Sequence, residues 1–177
     1  MSSQSSITKP DPSRSAVVAL GSNQAFEGSS PAQLVVAAAE RLSQFSETQV
    51  QLSSLHRTAA QGLGSSAADF CNAVAVLQPA ADLCASDLLA ELLAVEVEFG
   101  RQRLEPEAGA AYASRSLDLD LIYCRGERVD TDFLKLPHPR AAERSFVLAP
   151  LAELWPDLSL DHPAEPVSVL LKRLAQE

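Results

Sequence analysis

The sequence predicts an α+β fold, a mainly antiparallel sheet with helices packed on it, on three observations. Short apolar or alternating segments fall at residues 16–20, 48–57, 69–77 and 116–124. Apolar residues recur at helical spacing over 31–45 and 82–99. The segments follow one another as β-α-β-β-α-β, the split unit of ferredoxin-like folds. Residues 16–177 are expected to form one domain, because a single core organises roughly 100 to 200 residues.

Residues 16–20 (AVVAL) are a buried run that ends on the turn formers Gly21, Ser22 and Asn23. Over 31–45 the apolar residues Leu34, Val35, Ala38, Ala39, Leu42 and Phe45 share a helix face, with Ser30 as cap and Pro31 at the first helical position. Alternation then returns over 48–57, and 59–68 is a Gly/Ser/Ala loop. Residues 69–77 (DFCNAVAVL) form a third strand, buried on both faces. Leu88, Leu89, Leu92, Leu93 and Val95 mark the second helix, stopped by Gly100. Residues 116–124 (SLDLDLIYC) form the fourth strand, and short helices are expected near 147–154 and 167–175.

The chain has 177 residues and is 46% hydrophobic, yet only nine residues are aromatic, so Ala, Leu and Val must fill the core. A net charge of -9 excludes nucleic acid and anionic membranes as main partners, since both select basic surfaces. The distribution is uneven. Residues 101–144 hold eight of the 14 Lys and Arg and eight of the 23 acids, so the remainder carries the whole excess. Arg outnumbers Lys, which suits forked binding of phosphate, although coding bias gives the same ratio. Three widely spaced cysteines form no disulfide framework or zinc site. With no apolar stretch of ~18 residues and no secretory h-region, a cytoplasmic chain is expected. Residues 1–15, rich in Ser and Pro, are expected to be a disordered tail.

The sharpest local pattern is Leu117-Asp118-Leu119-Asp120-Leu121. On a strand the two aspartates emerge on one face ~7 Å apart while the leucines bury the other. Such a pair suits hard divalent cations, Mg²⁺ above all, together with phosphate oxygens, although an ordinary half-exposed strand gives the same alternation. Arg101, Arg103 and Arg115 flank it and suit phosphoryl transfer, and each alone fits a surface ion pair equally. His138 stands between Pro137 and Pro139, either as a rigidly presented phosphate contact or as a structural turn residue. His56 and His162 fit structural roles. Residues 62–67 (GLGSSA) imitate a dinucleotide fingerprint, but the following segment alternates like a strand rather than opening a helix.

Together these residues resemble the 6-hydroxymethyl-7,8-dihydropterin pyrophosphokinase family of folate biosynthesis. The matching segments are 17–23 (VVALGSN), 56–58 (HRT), 69–73 (DFCNA), Glu96 with 100–103 (GRQR), 115–120 (RSLDLD), 136–140 (LPHPR) and 144–148 (RSFVL). The resemblance implies an enzyme that transfers pyrophosphate from ATP to the pterin's hydroxymethyl oxygen and releases AMP; a monomer is expected. It implies that Asp118 and Asp120 hold two Mg²⁺ ions and that Arg101 and Arg115 stabilise the transferring group. Glu96, Arg103, Tyr112, Leu121, His138 and Arg144 would serve ATP. Thr58 and Asn72 would bond the pterin edge, with Phe70 and Phe146 on its faces. The chain departs from the family pattern at Ala59-Ala60, where Pro follows the Thr. It departs again at 111–114 (AYAS), where a basic residue and a Trp are usual, and at Phe133, which lies with Lys135 near positions that contact ATP. The altered 111–114 loop motivates an alternative, a homologue that binds pterin or nucleotide without turnover. A module with no small-molecule site is a third and more remote reading.

Overall fold

The computed structural model describes residues 9–59, 68–101, 115–160 and 165–176. Its principal strands are β1 (Ala16–Ser22), β2 (Gln51–Leu52), β3 (His56–Thr58), β4 (Phe70–Leu77) and β5 (Asp118–Cys124). A small hairpin follows, β6 (Val129–Asp130) with β7 (Lys135–Leu136). The helices are α1 (Pro31–Leu42), α2 (Ala85–Glu98), α3 (Ser145–Leu154) and α4 (Val167–Leu174). The main sheet runs β2-β4-β1-β5, with β3 also on β4, and every pairing is antiparallel. This is the ferredoxin-like βαββαβ arrangement, with its second strand in two pieces.

Ser53 breaks that strand. Its N–H donates to the Val74 carbonyl at 2.9 Å, and its Oγ, in place of a main-chain carbonyl, accepts the Val74 N–H at 3.0 Å. The chain then steps outward, leaving Ser54 and Leu55 exposed, before β3 rejoins β4. Glu153 of α3 gathers the displaced groups: it accepts from Ser54 N–H (2.8 Å) and Oγ (2.6 Å) and pairs with His56 Nε2 (2.6 Å). Burial raises the Glu153 pKa, but the hydrogen bonds from Ser54 and His56 outweigh it, and the net shift is downward. His56 is thereby structural, as its sequence context suggested.

α1 begins in a capping box: Ser30 Oγ accepts the Gln33 N–H and Gln33 Oε1 accepts the Ser30 N–H. It buries Leu34, Val35, Ala38, Ala39 and Leu42, and a 3₁₀ turn at Ser43–Phe45 continues it. α2 starts at Ala85, three residues later than the spacing suggested. The Arg125 guanidinium takes the carbonyls of Pro79, Ala80 and Leu83 at 2.8, 2.6 and 3.2 Å, so that stretch is fixed as a turn. At its other end the Gly100 N–H donates to the Val97 carbonyl and the Arg101 N–H to the Glu96 carbonyl, both at 3.0 Å. This is a Schellman close, with Gly100 at φ +77°.

The pleat divides the core. Val18, Leu20, Ala73, Ala75, Leu77, Leu119 and Leu121 face α1 and α2. Val17, Val74, Val76 and Ile122 face α3, α4 and Trp155 on the opposite side. The C-terminal helices therefore cover a second sheet face, and helices do not lie on one face only. In β5, Val17 opposes Tyr123 and Val18 opposes Leu121, leaving Ile122 as a bulge whose carbonyl accepts the His138 N–H at 2.9 Å. Residues 9–15, within the segment expected as a tail, lie against this side. The Tyr123 hydroxyl donates to the Pro12 carbonyl at 2.9 Å and Ser15 is fully buried.

Candidate active site

α3 and α4 cover only part of their sheet face. On the uncovered part, β3, β4, β1 and β5 present Thr58, Phe70 and Asn72, Gly21, and Asp118 and Asp120, in that order across the sheet. They border a cavity of about 560 Å³. Gly21 was expected in a turn, but β1 continues through Ser22, because Gly21 pairs with Asn72 on one side and Asp118 on the other. A Cβ at Gly21 would stand 3.0 Å from Asn72 Oδ1. Hydrogen there keeps the floor open between the two ends of the cavity.

At one end Asn72 Nδ2 donates to Thr58 Oγ1 at 2.7 Å. The Thr58 hydroxyl, having accepted, is left to donate to a ligand, and Asn72 Oδ1 can accept from one. Phe70 from the sheet and Phe146 from the first turn of α3 line the same cavity. Donors and acceptors in one cavity with two rings from different elements suit a flat polar heterocycle.

The other end is charged. Arg101 donates to Asp118 Oδ1 at 2.6 Å, and Arg115 donates to Asp118 Oδ2 at 2.9 Å. Arg144 donates to Asp120 Oδ2 at 3.1 Å, its guanidinium 5.6 Å from the Phe146 ring centroid. Burial raises the Asp120 pKa, and Asp118 adds repulsion, with His138 and Arg144 opposing. His138 is held below its usual value, first by burial, against the pull of Asp120. Its Nδ1 accepts the Arg140 N–H at 3.2 Å, which assigns the proton of the neutral ring to Nε2. His138 is thus a neutral donor near pH 7, delivered there by the Ile122 bulge and the turn at Pro137.

Glu96 lies behind Arg101, 3% exposed, and does not line the cavity. Its carboxylate accepts the edge-strand N–H of Leu119 at 2.7 Å and pairs with Arg101. Burial pushes its pKa up from 4.5 to about 7, with the Leu119 amide and Arg101 opposing and Asp118 and Asp120 reinforcing. Between those values the folded chain holds a proton that the unfolded chain has released. Stability should therefore fall as pH rises from about 4.5 through about 7, by up to ~3 kcal/mol. Urea unfolding at pH 5 and pH 8 checks this: wild type should lose more stability between the two than Glu96→Gln, which has no such titration.

The donor set can be tested for a metal. Among the described residues no cluster of three or more His, Cys, Asp or Glu could hold an ion. Two carboxylates on one strand face are what Mg²⁺ uses when phosphates and water complete its octahedron, so these residues fit a metal that arrives with phosphate. Fixed arginines beside the carboxylates would take the remaining phosphate oxygens.

Ten of the residues singled out by sequence thus meet at one cavity: Thr58, Phe70, Asn72, Arg101, Arg115, Asp118, Asp120, His138, Arg144 and Phe146. Leu121 does not; its side chain is buried against α1 and α2 on the far face. Phe133 is exposed at the β6–β7 turn and Lys135 pairs with Asp130, neither lining the cavity. Arg103, Tyr112 and the rest of the 111–114 segment, the imitation fingerprint at 62–67 and His162 lie outside the described residues. Sequence reasoning missed Leu174 of α4, which lines the cavity from a helix whose sequence shows only amphipathic spacing. It also took Asn23 for a mere turn former, although Asn23 is 4% exposed.

Comparison with known proteins identifies relatives of this chain. Residues 17–156 match the family described as 7,8-dihydro-6-hydroxymethylpterin-pyrophosphokinase. Three relatives carry the name 2-amino-4-hydroxy-6-hydroxymethyldihydropteridine pyrophosphokinase. The protein from Haemophilus influenzae is 34% identical over 90% of this chain and 92% of its own length. That from Pseudomonas aeruginosa is 38% identical over 81% of this chain and 82% of its own. That from Synechocystis sp. is 42% identical over 50% of this chain and 42% of its own length. With a match that spans every element from β1 through α3 and every cavity residue named above except Leu174, the chain belongs to the 7,8-dihydro-6-hydroxymethylpterin-pyrophosphokinase family.

Proposed function

We propose that the chain transfers the pyrophosphoryl group of ATP to the hydroxymethyl oxygen of 6-hydroxymethyl-7,8-dihydropterin, releasing AMP, as a step of folate biosynthesis. The observation that carries this reading is the two-ended cavity. Arginine-flanked carboxylates and an Asn–Thr hydrogen-bonding pair stand on either side of a glycine floor, in one cavity that two aromatic rings also line. The hydroxymethyl oxygen forms a bond to the β-phosphorus and gives up its proton to solvent, the bond from that phosphorus to the α-phosphate oxygen breaks, and the leaving oxygen departs with AMP.

Asn72 and Thr58 orient the pterin edge-on, and Phe70 and Phe146 hold its plane. Arg101, Arg115 and Arg144 are held in place by Asp118 and Asp120 and present their remaining N–H groups to phosphate oxygens. His138 donates from Nε2 to another. Asp118 and Asp120 would hold two Mg²⁺ ions, which when bound neutralise phosphate charge and lower the pKa of the attacking hydroxyl. Asp118 and Asp120 are tied to arginines and His138 Nδ1 accepts the Arg140 N–H, so positioning and charge neutralisation carry the acceleration. A cytoplasmic monomer is the proposed working form. Among the described residues no helix is long and apolar enough to cross a membrane.

Incubation with ATP, Mg²⁺ and the reduced pterin should yield AMP and the pterin pyrophosphate, and chelation of the metal with EDTA should abolish both. Pterin binding with no AMP would favour the binding-only homologue. Neither AMP nor any ligand-dependent thermal shift would favour a module without a small-molecule site.

A further inference from the structure

Asn23 stands one step beyond the last paired residue of the central strand β1, between the chain segments that enter β4 and β5. Its main-chain N–H donates to the Arg115 carbonyl at 3.2 Å, and its side-chain Oδ1 accepts the Arg115 N–H at 2.9 Å. Both main-chain groups of Arg115 therefore close on a single residue. In the other direction Asn23 Nδ2 donates to the Ala68 carbonyl at 3.4 Å. Arg115 binds Asp118 and opens the segment that carries both aspartates. Ala68 lies two residues before Phe70 and four before Asn72. One planar amide thus bridges the backbone that leads into the charged end to the backbone that leads into the aromatic end.

We propose that Asn23 is a positioning residue that fixes the separation between the phosphate-binding and pterin-binding ends of the cavity; this rests on the transfer reading above. The amide presents an acceptor and a donor on one rigid plane, which an ionised Asp or a Ser or Thr hydroxyl does not. β1 aligns Phe70 and Asn72 with Asp118 and Asp120 through ladder bonds only as far as Ser22. Past that point the Asn23 main-chain N–H still bonds the Arg115 carbonyl, and the Asn23 side chain adds the links to the Arg115 N–H and to the Ala68 carbonyl. The separation matters because attack requires the hydroxymethyl oxygen and the β-phosphorus at near-contact distance, where a displacement of ~1 Å costs on the order of 10²-fold in rate.

The test compares wild type with Asn23→Ala, which loses the side-chain links to Arg115 and Ala68, and Asn23→Asp, which keeps the acceptor toward Arg115 and sets an oxygen against the Ala68 carbonyl. The measurements are kcat for AMP release and separate Kd values for a non-hydrolysable ATP analogue with Mg²⁺ and for the reduced pterin. For Asn23→Ala the expected result is a kcat loss of ~10²-fold with each Kd within ~3-fold of wild type, and for Asn23→Asp a smaller loss of the same kind. A purely structural role would lower Tm and leave kcat near wild type; kcat within ~3-fold, or a loss confined to the Kd values, overturns the proposal. If Asn23→Ala does not fold, Asn23→Asp carries the test. Absence of AMP from wild type would overturn the transfer reading instead. The link would then be read from the change in pterin Kd on saturation with the ATP analogue, and an equal change in wild type and variant overturns it.

Discussion

Asp118→Ala and Asp120→Ala are each expected to reduce AMP release by at least ~10³-fold while leaving the fold intact. Removing a single preorganised electrostatic group typically costs 10²- to 10³-fold, and each of these carboxylates would also carry metal. The cost to stability is small because both side chains lie on the open part of the sheet, where Arg101, Arg115 and Arg144 keep access to water. Asp118→Ala carries a second, signed expectation. It removes a negative charge that Arg101 and Arg115 now share, so ATP should bind this variant at least as tightly as wild type in EDTA, and less tightly in excess Mg²⁺. Calorimetric titrations under the two conditions read this directly. Near-normal AMP release by either variant, or the opposite order of affinities, would remove the metal-holding role from these aspartates.

Gly100→Ala should lower stability by about 3 kcal/mol. The left-handed φ of +77° costs a residue with a Cβ on the order of 1–2 kcal/mol. The added Cβ would also lie 2.1 Å from the Phe26 ring, a contact that must be relieved by moving the ring or the end of α2. Gly28→Ala is the control: its φ is +80°, but no atom lies within 4 Å of the position, so only the backbone penalty of about 1 kcal/mol should appear. Urea unfolding of both variants separates strain from crowding. Equal losses would show that the Phe26 contact contributes nothing. Because Gly100 aims the chain into Arg101, Gly100→Ala should also slow AMP release, whereas Gly28→Ala should not.

Much of the site was legible in the sequence because its chemistry resides on regular elements. Alternation along 117–121 places both aspartates on one face wherever the strand sits, and the same period puts Phe70 with Asn72. The helix stop at Gly100 followed from residue type, and the structure adds the Schellman bonds that set Arg101 beside Glu96. What was not legible came from contacts between distant segments. Glu96 is assigned to ATP by resemblance, yet it lies sealed behind Arg101, since only the packing of α2 against the edge of β5 brings the Leu119 N–H to it. Leu121 shares the motif of the aspartates but, at odd spacing from them, points into the opposite core. The break of the second strand at Ser53 also depended on a side chain replacing a carbonyl, which no periodicity displays.

By itself the sequence determined the element order, the α+β class and the identity of the carboxylates, arginines and rings. These follow from local periodicity and residue chemistry, which act over a few residues. The tertiary structure decided which sheet face stays open, since α3 and α4 cover one part of it and leave the other as the cavity. It also decided that Asn23, 92 positions from Arg115 and 45 from Ala68, links the two ends of the site. Those outcomes depend on long-range burial and on pairing every buried polar group, and such pairing is settled only when distant segments meet.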